Sequence, residues 1–82
     1  MKKVYVVVYA SVSDLSGDIY TEQKVTTNKS IAQKYFNDYV SDVAETTGND
    51  EILEDVGGSV FDYCVPLGSI YHVEISEVEV IE

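Results

Sequence analysis

Cys64 and His72 are the one thiol and the one imidazole of this chain, the two side-chain types that together can yield a nucleophilic thiolate. Residues favouring strands surround both, and Pro66, Leu67 and Gly68 between them carry the chemistry of a tight turn, so the two fall on adjacent strands of a hairpin. With the turn at those residues, Cys64 lies opposite Ile70 and His72 lies opposite Asp62. The expected arrangement is a half-buried strand cysteine beside a surface Asp62/His72 cross-strand pair, and no catalytic residue is assigned. Asp50, Glu51, Glu54 and Asp55 supply the oxygen ligands that suit a hard cation. They lack the alternating ligand spacing and central glycine of an EF-hand loop, which predicts a solvated acidic loop and no metal. Gly57 and Gly58 are not followed by the Lys/Ser pair of a phosphate-binding loop, and no cofactor is expected.

Asp38, Asp42 and Glu45 form the most suggestive set. At i, i+4 and i+7 they share one stripe of a helix, and a rise of about 1.5 Å per residue separates the first two by about 6 Å. Two nucleotide steps along one strand of a duplex, at about 3.4 Å each, cover nearly the same distance. Continued through Asp50, Glu51, Glu54 and Asp55, the chain presents seven carboxylates in 18 residues with no basic residue among them. Such a stripe could occupy a groove that normally holds nucleic acid. The plain alternative is solubility through net charge, which needs no partner.

These residues need a scaffold, and the hydrophobic pattern describes one. Val4, Val6, Val8, Ala10 and Val12 hold one parity and Tyr5, Val7, Tyr9 and Ser11 the other, which predicts a strand with both faces covered. Asp14 to Asp18, with Gly17, reads as a turn into a more polar second strand from Ile19 to Val25, paired back as a hairpin. Ala32, Tyr35, Phe36, Tyr39, Val40 and Val43 fall on one helical face. Thr27 or Asn28, or a Ser30/Gln33 capping box, would start that helix, and Gly48 would end it in a left-handed conformation. Residues 49–56 fit a helical turn or a packed loop equally well. Ser59 to Val65 and the segment from Ile70 read as the third and fourth strands. In the fourth, Tyr71, Val73 and Ile75 share one parity but Val78 and Val80 take the other, which predicts a bulge near Ser76. The expected fold class is α+β, a ββαββ chain with an antiparallel sheet and one amphipathic helix on a face, in a single domain spanning 1–82.

Seven tyrosines are a high share of 82 residues. Tyr35 and Tyr39 belong to the helix's core face. Tyr5, Tyr9, Tyr20, Tyr63 and Tyr71 lie along strands, where some are expected to face outward or sit at an edge, and an exposed tyrosine suits an interface.

Charge bounds the partners. The net charge is −10 with no arginine, and all five lysines precede residue 35, where only three acids accompany them. The remaining 48 residues hold twelve acids and no lysine or arginine. A surface of this sign repels nucleic acid and anionic membranes and attracts basic surfaces, so direct DNA, RNA or lipid binding is disfavoured. One cysteine permits no internal disulfide and fits a reducing, cytoplasmic setting. The apolar run Val4 to Ala10 is too short for a membrane span and leads into no cleavage site.

In size, in its one compact α+β domain and in the carboxylates Asp38, Asp42, Glu45, Asp50, Glu51, Glu54 and Asp55, the chain resembles the small acidic inhibitors encoded by bacteriophages, the anti-CRISPR and anti-restriction proteins. The resemblance is one of class, since those inhibitors share no common motif. It implies a viral protein that acts in the bacterial cytoplasm as a nucleic-acid mimic. Its partner would be a basic nucleic-acid-binding host defence protein, for example a CRISPR effector, blocked by occlusion. The competing expectation is a non-enzymatic structural or adaptor module acting through homodimerisation or strand-edge pairing.

Overall fold

The computed structural model describes residues 2–13, 17–65 and 68–81. Strand β1 (Lys2–Ser13) pairs antiparallel with β2 (Ile19–Thr26) on one side and β4 (Ser69–Val80) on the other, and β3 (Val60–Cys64) completes a sheet of order β2-β1-β4-β3. Helix α1 (Lys29–Thr47) crosses one face, and a short 3-10 helix (Asp50–Asp55) follows it. This is the ββαββ chain with an antiparallel sheet and one helix that the hydrophobic pattern predicts.

Local chemistry explains the helix ends. Asn28 is extended, and its Oδ1 accepts from the Ser30 and Ile31 amides at 2.9 and 3.3 Å, satisfying two of the donors that a helix start leaves free. The Ser30/Gln33 capping box is not used, because the Gln33 amide turns instead to the Gly58 carbonyl and Asn37, each at 3.0 Å. Gly48 closes α1 at φ 70°, a conformation that glycine adopts without a Cβ penalty, and the Asn49 amide returns to the Ala44 carbonyl at 3.1 Å. Residues 50–55, equally a turn or a loop by pattern, form the 3-10 helix because Asn49 caps the Glu51 amide and Ile52 enters the core. The turn residues Asp14, Leu15, Ser16, Pro66 and Leu67 lie outside the described residues.

Between sheet and helix lie Phe36, Val40, Val43, Ala32, Ala44 and Tyr39 from α1, with Val7, Val73, Phe61 and Ile52 opposite them. All five strand tyrosines have the parity of Val7 and Val73 and therefore point to the helix side. Tyr5, Tyr9, Tyr63 and Tyr71 pack at the core margin, and Tyr9 stacks on Tyr39 with centroids 5.0 Å apart. Of the strand tyrosines expected to face outward or sit at an edge, Tyr20 does so: it lies on edge strand β2, edge-on to Tyr9, and is mostly exposed.

Two further expectations are overturned. β1 and β4 run in unbroken register from Lys2↔Val80 to Ser13↔Ser69, so there is no bulge at Ser76. The parity switch arises because Val78 and Val80 belong to the other face of the sheet. That other face is open. α1 and the 3-10 helix both lie on the Val7 side, so β1 is covered on one face and not on two. Val4, Val6, Val8, Ala10 and Val12 form the centre of the open face. β2 adds Ile19 and Val25 to it, and β4 adds Ile70, Val78 and Val80.

Candidate functional site

The helix layer carries the seven predicted carboxylates. Asp38, Asp42 and Glu45 are exposed along α1, on the side turned away from the core residues Phe36, Val40 and Val43. Asp50, Glu51, Glu54 and Asp55 are likewise exposed on the 3-10 helix. Three fixings bring this second group alongside the first. Ile52 is buried against α1, the Asn49 amide reaches the Tyr63 hydroxyl at 3.2 Å, and Asn37 Oδ1 accepts from the Gly57 amide at 3.0 Å. The two acidic segments therefore share one layer on the side of the sheet opposite to the open face.

No ion pair within 4 Å engages any of the seven among the described residues. Lys34 stands one turn ahead of Asp38, and Lys3 and Lys24 are engaged elsewhere. Lys3 Nζ meets Glu77 at 3.4 Å, and Lys24 Nζ sits 4.7 and 5.3 Å from the ring centroids of Tyr35 and Tyr39. Glu45 occupies the last turn of α1, which holds no basic residue, although the free carbonyls there favour cations. Among the described residues no three His, Cys, Asp or Glu side chains converge closely enough to hold a metal ion.

The hairpin pair stands where register arithmetic put it: Cys64 opposite Ile70 and His72 opposite Asp62. His72 Nδ1 bonds the Asp62 carboxylate at 2.5 Å, and Nε2 is 3.5 Å from Glu74. The Asp62 hydrogen bond is the main cause raising the imidazole pKa above its ordinary value, against a smaller lowering by burial. Both ring nitrogens thus face carboxylates; Cys64, expected to be half-buried, is exposed, with its Sγ 4.0 Å from the Val65 carbonyl.

The Tyr39 hydroxyl is buried with no partner at hydrogen-bonding geometry among the described residues, and burial, followed by the nearby Glu22 carboxylate, pushes its pKa up. Glu22 itself accepts from the Tyr20 hydroxyl at 2.8 Å, which lowers its pKa. A cavity of about 170 Å³ at the far end of the helix is lined by Tyr5, Lys29, Gln33, Ser59, Ile75 and Glu77. Its size accommodates a few waters, and its lone cation and lone anion offset one another.

Sequence reasoning missed the aliphatic open face. The signal was present in the shared parity of Val4 to Val12, but parity alone does not tell a covered face from an uncovered one. No helix among the described residues is long and apolar enough to cross a membrane. Comparison with known proteins finds no family model that matches this chain and no curated protein or solved structure similar to it.

Proposed function

We propose that this chain is a non-enzymatic protein-binding inhibitor whose helix layer, through Asp38, Asp42, Glu45, Asp50, Glu51, Glu54 and Asp55, occupies the nucleic-acid-binding groove of a basic partner. The partner class is a nucleic-acid-binding host defence protein, for example a CRISPR effector, and the setting is the bacterial cytoplasm. The observation that carries the proposal is the placement of the seven charges, which local energetics do not explain. Asp38 and Asp42 repel across one turn, and Glu45 lies at the negative pole of the helix. Solubility needs net charge but does not need it there, since the same residues on exposed loops would serve as well. A basic groove would relieve the self-repulsion on binding and steer association over a Debye length of about 8 to 10 Å.

The test is capture from bacterial lysate with the tagged protein at about 50 mM and about 500 mM salt, low and high against the screening range. Capture of a basic nucleic-acid-binding protein at low salt, its release at high salt and its displacement by excess duplex DNA support the proposal. Capture indifferent to both salt and DNA sinks it.

A further inference from the structure

The open sheet face is independent of the acidic layer. Its centre is Val4, Val6, Val8, Ala10 and Val12 on β1, half-buried by their neighbours alone, and Val25 on the adjoining β2 is 63 % exposed. Central strand β4 sets His72, Glu74 and Ser76 beside Ala10, Val8 and Val6 on this face, and the edge strands add Thr21 and Gln23 on β2 and Asp62 on β3. The face is therefore an aliphatic stripe along β1, flanked by polar groups, and interfaces combine apolar and polar area in this way.

Three quantities measure how much surface this open face leaves exposed. A folded monomer of 9.1 kDa exposes about 4,900 Å². This chain exposes 5466 Å², an excess of about 600 Å² over that expectation. Strand dimensions of about 3.3 Å per residue and about 4.8 Å between strands give the face a footprint of about 600 Å² as well. The radius of gyration, 13.7 Å, also exceeds the value of about 12 Å expected for a compact chain of 82 residues. The molecule is a slab of 46 × 26 × 13 Å, one sheet with a helix on a single side.

We infer that the open face is a homodimer interface, in which two copies pack sheet against sheet to form an α/β/β/α sandwich. Two such footprints sum to about 1,200 Å², the lower bound for a specific interface. Valine side chains from two like faces interdigitate without any partner-specific group. Charge permits the pairing despite the net −10, because the seven carboxylates point away from the contact. On the face itself Lys2 lies at one end, opposite Val80, and Asp62 and Glu74 lie toward the other, where both engage His72. Pairing by edges is less suited. The stretch of β4 beyond β3 carries Glu77 and Glu79, like charges that oppose a second copy. A face-to-face contact uses the same patch on both copies and closes at two. The dimer would carry an acidic helix layer on each outer side.

The test is sedimentation equilibrium of the untagged protein from about 1 to about 500 µM, a range that reports millimolar to submicromolar dissociation constants. The expected mass is twice 9.1 kDa at the upper concentrations, with dimerisation strengthened by added salt as the outer charges are screened. The double variant Val25→Lys/Val78→Lys should sediment as a monomer with unchanged circular dichroism, and each single substitution, at a position 63 or 46 % exposed, should weaken the dimer at least tenfold. Mixing isotope-labelled and unlabelled wild-type protein provides a readout that needs no variant: methyl contacts between copies are expected at Val6 and Val8. A wild type that remains monomeric throughout, or a dimer whose contacts between copies fall on the edges of β2 and β3, overturns the inference.

Discussion

Replacing Asp38 and Asp42 with asparagine and Glu45 with glutamine should make the fold more stable. Asp38 and Asp42 lie one helical turn apart, and a like-charge pair at that spacing costs about 0.2–0.5 kcal/mol. Glu45 sits in a last turn with no basic residue, where an anion against the helix dipole costs about 0.3–1 kcal/mol at low ionic strength. Lys34 offsets a small part of this from one turn ahead, in the less favourable order of a cation preceding an anion. None of the three carboxylates makes an ion pair among the described residues, so their removal breaks no such contact. The gain is about 0.5–1.5 kcal/mol, or a melting temperature higher by about 2–12 °C in a domain of this size. Thermal melts followed by circular dichroism at about 20 mM and about 1 M NaCl check it, because a Debye length of about 3 Å at the higher salt should close the gap between variant and wild type. A variant that melts at or below the wild-type temperature in low salt would refute the claim that these charges oppose the fold.

Other perturbations follow from the same contacts. Phe36→Ala removes the largest fully buried side chain and should cost about 3–5 kcal/mol, enough to abolish the cooperative urea transition of a domain with so small a core. Gly48→Ala introduces no clash, since nothing lies within 4 Å of the added Cβ, so its cost of about 1 kcal/mol is the left-handed backbone alone and should appear in the urea midpoint. His72 should titrate above its ordinary range by NMR. Because its folded pKa is raised, its contribution to stability is complete below the unfolded pKa of about 6.5 and is lost as pH rises through the folded value. Asp62→Asn should lower that titration and flatten the dependence, and an unmoved His72 titration in that variant would count against the pairing.

Much of the scaffold was legible because its signals are periodic. The spacing of Ala32, Phe36, Tyr39, Val40 and Val43 marked the buried face of α1, and the turn at 66 to 68 set Cys64 opposite Ile70 and Asp62 opposite His72. The exposure of the seven carboxylates was legible too, since charge without a partner stays in water. The 3-10 helix was not, because six residues hold too little period and its form rests on the Asn49 cap and the burial of Ile52. The bulge at Ser76 failed for a deeper reason. A parity switch demands an extra residue only if one face alone may be apolar, and here Val78 and Val80 sit on an open face that is itself aliphatic. The related assumption that an aliphatic face must be a covered one made β1 look covered on both sides.

The most direct test of the proposed function uses three baits in parallel, namely the wild type, a variant with all seven carboxylates changed to the matching amides, and Val25→Lys/Val78→Lys. Each is offered the same lysate at low salt, and the captured basic nucleic-acid-binding protein is measured. If the helix layer is the inhibitor surface, the wild type and the sheet-face variant capture that protein and the seven-amide variant does not. Equal capture by the seven-amide variant would contradict it, because the binding would then owe nothing to the charges that α1 and the 3-10 helix display.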